Sequence, residues 1–323
     1  MPASDERTPA VTILFGPTAS GKSALALRLA EALDGTIINA DSMQVYRDLR
    51  ILTARPGSAE LARVPHCLYG VLPGDPPCSA ALWRDMAVER IEAALAAKRR
   101  PILVGGTGLY LKALREGLAP VPHVAAEVRA AASEAYERLG GEAFHSRLAE
   151  RDPASAARLH RHDRQRLIRA WEVLQATGRP LSDWQSRKAE GPAPYRFVTL
   201  ALLPERAVLY RRCDERFIAM LADGALAEVR ALLALSYDRH LPIMKSLGVP
   251  ELAAHLRGEL SLAAATETAQ RKTRRYAKRQ ITWLRHQVVS NDRNVICIKT
   301  KESLTIDPDL FAKIRQRVLT LTA

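Results

Sequence analysis

The sequence predicts an α/β protein: a parallel-sheet core, an all-α insertion within it, and a helical C-terminal region. Short β-branched runs alternate with stretches of helical period near the start, which indicates parallel strands covered on both faces. An Ala- and Arg-rich run from Glu127 to Thr177 then keeps helical period without strand-like alternation, and the β pattern resumes at Arg196. These changes divide the chain into a core of residues 1–119 and 196–323 and an insertion of residues 120–195.

The elements follow in order. From Val11, VTILF is apolar and β-branched, GPTASGKS is a glycine-rich turn, and ALALRLAEAL has helical period, giving strand, loop and helix. A second strand is expected over Thr36–Ala40 (TIINA), ending on Asp41. Ala80–Ala97 carries apolar residues at helical spacing, and PILV at Pro101–Val104 reads as a strand ending on Gly105, Gly106 and Thr107. Prolines in APVPH open the insertion, and GRP at 178–180 and EGPAP at 190–194 close it. RFVTLALLP at Arg196–Pro204 is the next strand, helices dominate from Ala207, and NVICIK at Asn294–Lys299 is a last strand.

Composition excludes some classes. The chain has 47% hydrophobic and 26% charged residues and no window near eighteen apolar residues, so it reads as globular rather than disordered or membrane-spanning. Met1–Ala10 is short, polar and of mixed charge, unlike a secretory or transit peptide, so a cytoplasmic location with no membrane partner is expected. The net charge is +13, and Arg dominates the basic residues; a planar fork of donors suits phosphate and stacks on bases, which favours a polyanionic partner. Cys67, Cys78, Cys213 and Cys297 form no C-x-x-C pair and read as reduced core thiols, and no zinc is expected. His160 and His162 lie among arginines and read as lining an RNA face or solvent, since no ligand partner repeats at metal spacing.

Gly16-Pro17-Thr18-Ala19-Ser20-Gly21-Lys22-Ser23 matches G-x-x-x-x-G-K-[ST] between a strand and a helix, the arrangement of a P-loop NTPase-like fold. In such a loop, backbone amides turn inward around phosphate oxygens and the helix N-terminus adds positive potential. Lys22 reaches the terminal phosphates and Ser23 can hold Mg²⁺. A hydrolysing P-loop enzyme also needs an apolar strand ending in an acid that helps hold Mg²⁺, which neither PILVGGTG nor RFVTLALLP supplies. The strand-terminal acid near the loop is Asp41, placed where such sheets bind ligands, as a metal ligand, a base or a helix cap.

Three further stretches agree with the loop: IINADSMQVYRDLRILTARP, VGGTGLYLKAL and HDRQRLIRAWEVLQATGRPLSDWQ, followed by QRKTRRYAKRQITWLR. Together they resemble the tRNA dimethylallyltransferases, or tRNA isopentenyltransferases, from about Thr12 to Arg285; the lack of a C-terminal zinc finger points to the bacterial branch. The resemblance implies a cradle for the diphosphate of dimethylallyl diphosphate, with Mg²⁺ as cofactor and no nucleotide hydrolysed. It implies attack by the N6 amine of the adenosine 3′ to the anticodon, in tRNAs reading U-starting codons. By motif position Asp41 is then the general base and contact to the amine, while Thr107 and Arg216 join Lys22 and Ser23 on the diphosphate.

The resemblance also places tRNA contacts at Asp41, Ser42, Met43 and Gln44 and at Gln165, Arg166, Leu167, Ile168 and Arg169. Independently, Arg271–Arg285 holds seven Lys or Arg and no acid, interleaved with Tyr276 and Trp283, so Arg274, Arg275, Lys278 and Arg279 suit phosphates and unstacked bases. Where many members carry Gly-Tyr-Arg-Gln, this chain has Met244-Lys245-Ser246-Leu247-Gly248-Val249-Pro250-Glu251, in which Lys245 takes over part of the contact. A monomer is expected. Two other readings stay open: a P-loop small-molecule kinase using ATP, and a non-catalytic RNA-binding protein.

Overall fold

A computed structural model describes residues 8–289, 294–300 and 306–322. Six strands form one sheet, all parallel: β1 (Ala10–Phe15), β2 (Gly35–Asn39), β3 (His66–Cys67), β4 (Arg100–Gly105), β5 (Arg196–Pro204) and β6 (Val295–Thr300), in the order β3-β2-β4-β1-β5-β6. Five of them are the strands expected from the sequence; the two-residue β3 is too short to show a pattern.

Every internal position of β1, β2 and β4 is buried, as a sheet covered on both faces requires. One face carries Leu14, Ile37, Ile102, Val104, Leu200 and Leu202 against the Lys22–Ala32 helix and against Ile314 and Val318 of the C-terminal helix. The Ala80–Ala96 helix buries Trp83, Ala87 and Ile91, and the Trp83 indole donates to the Asn39 carbonyl at 2.9 Å at the end of β2. A second apolar cluster, with Val45, Tyr46, Leu49, Phe217, Val229 and Leu252, joins the segment after β2 to the helices that follow β5. Of the four cysteines only Cys213 is buried; Cys67 and Cys78 are half-buried and Cys297 is exposed, so the core-thiol expectation holds for one.

The chain divides into two compact units, residues 1–113 with 194–323, and Leu114–Ala193. The second unit thus includes residues 114–119, placed in the core by the sequence reading. Its ends are tied together: the Leu118 amide donates to the Glu190 carbonyl at 3.0 Å and the Glu190 amide returns to Leu118 at 2.8 Å. Within this unit, the Ala126–Arg151 segment breaks from helical geometry at Gly140 and packs with the Arg164–Thr177 helix around Phe144, Leu148, Leu167, Ile168 and Val173. The buried Asp152 accepts from the Ser155 amide at 2.9 Å, the Leu181 amide at 3.1 Å and the Ser182 hydroxyl at 2.8 Å, holding three segments together.

Candidate active site

Three neighbouring strands end side by side, and each continues into one of the sequence motifs. In register, Phe15 of β1 lies opposite Gly105 of β4, and Val104 of β4 opposite Asn39 of β2. The loop Gly16–Ser23, the Asp41–Gln44 segment and Gly106-Thr107 therefore leave the carboxyl edge together, where open α/β sheets bind ligands. Gly105 passes so close to the second segment that a Cβ on it would lie 2.1 Å from the Ala40 carbonyl oxygen.

The glycine-rich loop turns at Ala19 and Gly21, both at positive φ, and runs directly into the Lys22–Ala32 helix. Its amide hydrogens and the helix N-terminus make an anion cradle. The Thr18 amide, however, donates to Gln280 Oε1 at 2.8 Å and is committed to protein. The Lys22 ammonium reaches the Pro17 carbonyl at 3.4 Å. Burial pulls its pKa down to about 8; Asp41 pushes the other way, and Arg216 adds to the lowering. Arg216 is half-buried, its pKa lowered chiefly by burial, and its Nη1 lies 3.5 Å from the Thr18 hydroxyl it donates to. Both cations are thus held without enough counter-charge, a ground state that favours an incoming anion.

Asp41 is fixed by its neighbours. Its amide donates to Asn39 Oδ1 at 2.9 Å, and Asn39 Nδ2 donates to the Asp41 carbonyl at 3.0 Å and to that of Leu68 at 3.0 Å. Oδ1 of Asp41 accepts from the Met43 amide at 3.0 Å, while Oδ2 accepts nothing among the described residues. The carboxylate caps a turn and still keeps one oxygen for a ligand. Thr107 Oγ1 accepts from the Ser42 amide at 2.9 Å and donates to the Ser42 hydroxyl at 3.3 Å, so it bonds the Asp41 segment and no atom of the glycine-rich loop. Gln44 is spent on backbone, donating to the carbonyls of Thr53 and Ala54, and Met43 Sδ accepts from Ser246 Oγ.

Ser23 is exposed at the first turn of the helix, and its hydroxyl has no partner among the described residues. No group of three His, Cys, Asp or Glu gathers there among the described residues. That set fits Mg²⁺ held mainly by ligand oxygens and water, since this ion keeps several waters and needs one or two protein oxygens. Beside the loop lies a small, partly open cleft. Its walls are Thr18, Ala19, Cys213, Arg216 and Thr273 together with the apolar Leu52, Phe217, Met220 and Leu247.

The basic helix Leu262–Leu284 is less free than its sequence suggests. Arg274 Nη1 pairs with Asp214 at 2.5 Å, Lys272 with the buried Glu251 at 2.5 Å, and Arg271 with Glu267 at 3.5 Å. Of the four cations expected to meet RNA, Arg275, Lys278 and Arg279 remain exposed without an acidic partner among the described residues, and Arg279 lies over the Tyr276 ring at 5.5 Å. Arg274 is instead a tie between helices. Lys245 is exposed in a short helical turn.

In the second unit, Gln165 and Arg166 are exposed, but Leu167 and Ile168 are 0% and 6% exposed and belong to the core. Arg169 pairs with Glu172 at 2.5 Å. The helical period puts only part of the expected contact stretch outside, so the side chains of Leu167 and Ile168 do not meet a ligand. His160 and His162 are exposed and 5.2 Å apart between ring centres. The sequence reading did not single out Gln280, Asn39 or Trp83; their contacts span 262 and 44 residues for Gln280 and Trp83, and no local pattern reports such distances.

A P-loop cradle, a fixed carboxylate and an apolar cleft on one sheet edge define a group-transfer enzyme of the P-loop class. The chain belongs to the IPP transferase family, whose model matches residues 44–287, and the isopentenyl transferase model matches residues 9–68. It is 59% identical over 284 residues to the tRNA dimethylallyltransferase of Rhodospirillum centenum, covering 88% of this chain and 90% of that one. It is 51% identical to that of Paramagnetospirillum magneticum, covering 97% and 98%. The full-length tRNA isopentenylpyrophosphate transferase structure from Bacillus halodurans superposes with a TM-score of 0.69 at 32% identity, covering 98% and 97% of the two chains.

The lowered Lys22 pKa gives a signed expectation. Below about pH 8 the ammonium is charged and binds an anion; above it the free protein loses that charge, so anion affinity falls as pH rises. Calorimetry with magnesium pyrophosphate in two buffers of different ionisation enthalpy, at about pH 9, should show proton uptake on binding, because a bound anion restores the charged form. Lys22→Met should abolish that uptake.

Proposed function

We propose that this protein transfers the dimethylallyl group from dimethylallyl diphosphate to N6 of the adenosine 3′ to the anticodon in tRNAs reading U-starting codons, releasing diphosphate. The observation that carries the reading is Asp41: one carboxylate oxygen is left without a partner, close enough to the cradle to act electrostatically on Lys22 and Arg216. The names of the relatives support the same activity. The diphosphate sits on the amides of the glycine-rich loop, on Lys22 and on Arg216, and the prenyl chain enters the cleft of Leu52, Phe217, Met220 and Leu247.

The acceptor amine donates a hydrogen bond to the free Asp41 oxygen, which orients its lone pair toward the allylic carbon. The N–C bond forms as the C–O bond to diphosphate breaks, the leaving group departs with the electron pair, and the proton passes to Asp41. Positioned proton acceptance of this kind is worth about a hundredfold to ten-thousandfold in rate. Lys22 and Arg216 stabilise the charge that develops on the departing oxygens. Ser23 would help hold Mg²⁺, which would supply further neutralisation of that charge.

In the core unit, Arg275, Lys278 and Arg279 of the long basic helix contact RNA phosphates; in the insertion unit, Gln165 and Arg166 do so. Turning a stacked adenine out of the loop costs a few kcal/mol, which these contacts offset. The protein acts in the cytoplasm, as a monomer; among the described residues no helix is long and apolar enough to cross a membrane. A kinase reading is not favoured, since neither β4, which ends on Gly105, nor β5, which ends on Pro204, closes on an acid.

Incubation with Mg²⁺, an unmodified anticodon stem-loop and labelled dimethylallyl diphosphate should move label to RNA without ATP. Asp41→Ala should cut that turnover at least about a hundredfold while tRNA affinity stays within a few fold. No transfer by the wild-type protein, together with ATP consumption, would restore the kinase reading. Charge reversal at Arg275 and Lys278 should weaken all tRNAs alike and flatten the dependence of log affinity on log salt by roughly one unit per lost phosphate contact; an unchanged slope in filter binding would place that helix away from RNA.

A further inference from the structure

Gln280 sits near the C-terminal end of the basic helix, where its neighbours Lys278 and Arg279 are exposed, yet it is itself only 5% exposed. Both ends of its amide are used: Oε1 accepts from the Thr18 amide at 2.8 Å, and Nε2 donates to the Gly106 carbonyl at 3.0 Å. The sequence of the β4 loop is shaped around it. A Cβ at Gly106 would lie 2.2 Å from Gln280 Nε2, so a side chain there would displace the amide from its present position. One turn further on, Trp283 lies against Gly108, where a Cβ would come 2.3 Å from its ring, and packs on Phe15 at a tilt of 31° with ring centres 5.1 Å apart. From Gly106 the connection continues: Thr107 Oγ1 accepts from the Ser42 amide beside Asp41.

We propose that Gln280 is a positioning residue, one side chain that locks the glycine-rich cradle to the loop pair carrying Asp41 and so sets the spacing between leaving group and proton acceptor. This rests on the diphosphate reading of the cradle and deepens it. The requirement is for an amide: one atom must accept from Thr18 and the other must donate to Gly106. Met has the length without either group. Glu has the acceptor, but when ionised it turns an oxygen toward the Gly106 carbonyl; protonated, it donates there and reproduces the native pair. Burial favours the protonated form of such a carboxyl.

The test uses the full chain, with magnesium pyrophosphate binding followed by calorimetry and prenyl transfer followed with labelled donor. Gln280→Met is expected to weaken pyrophosphate about tenfold with full stoichiometry, as the loss of one cradle-fixing hydrogen bond would, and to lower kcat by a larger factor while KM for tRNA stays within about twofold. Gln280→Glu should resemble it at pH 8 and recover toward the wild-type value, measured at the same pH, by pH 6. A purely structural role would instead reduce binding stoichiometry and leave the dissociation constant of the folded fraction unchanged, and that result would overturn the proposal. So would wild-type affinity and kcat in both variants, or a Glu variant whose deficit does not change with pH. If the wild-type protein binds no pyrophosphate, the cradle reading fails; if it binds but the variants bind equally well, only the role of Gln280 fails.

Discussion

The backbone of β4 leaves the sheet so close to that of β2 that no side chain fits between Gly105 and Ala40, and this approach sets the scale of everything built above it. The Ala40 amide donates to the Val104 carbonyl at 2.8 Å, extending the ladder past the last paired residue of β2. Because β1 pairs with β4 on its other side, three loops are launched within the width of three strands. Parallel strands are about 4.8 Å apart, so groups two residues beyond their ends meet without any long reach.

That spacing explains a division of labour among polar groups. Asn39, Thr107 and Gln280 each make hydrogen bonds to backbone at the strand ends and hold the loops. Lys22, Arg216 and the second oxygen of Asp41 are left under-compensated by the protein. Half-buried cations short of counter-charge favour an anionic ligand. The apolar cleft beside them suits the hydrocarbon part of the same ligand, so one molecule with a charged head and a short apolar tail satisfies both.

Much of this was readable in the residues. β-branched runs marked the long strands, and the glycine-rich motif marked the loop because its spacing encodes a backbone shape. Asp41 was legible as a strand-end acid, but its turn-capping and its free oxygen were not. Motif matching drew Leu167 and Ile168 into a contact surface, whereas helical period puts them in the core with Ala170, Val173 and Leu174. Arg274 read as one cation among seven; its partner Asp214 lies 60 residues earlier, and such pairing follows from helix packing rather than local sequence. Gln280 was hidden by its charged surroundings, although the glycines of the β4 loop record the close approach of its helix.

In the proposed reaction, one cradle-and-cleft site takes the diphosphate and the prenyl chain together, with the reacting carbon toward Asp41. A crystal structure of the protein with Mg²⁺ and the unreactive thio analogue of dimethylallyl diphosphate tests it most directly. Diphosphate density is expected on the Gly16–Ser23 loop beside Lys22 and Arg216, and the prenyl group among Leu52, Phe217, Met220 and Leu247. Analogue bound elsewhere, or a prenyl chain directed away from both the cleft and Asp41, would contradict it.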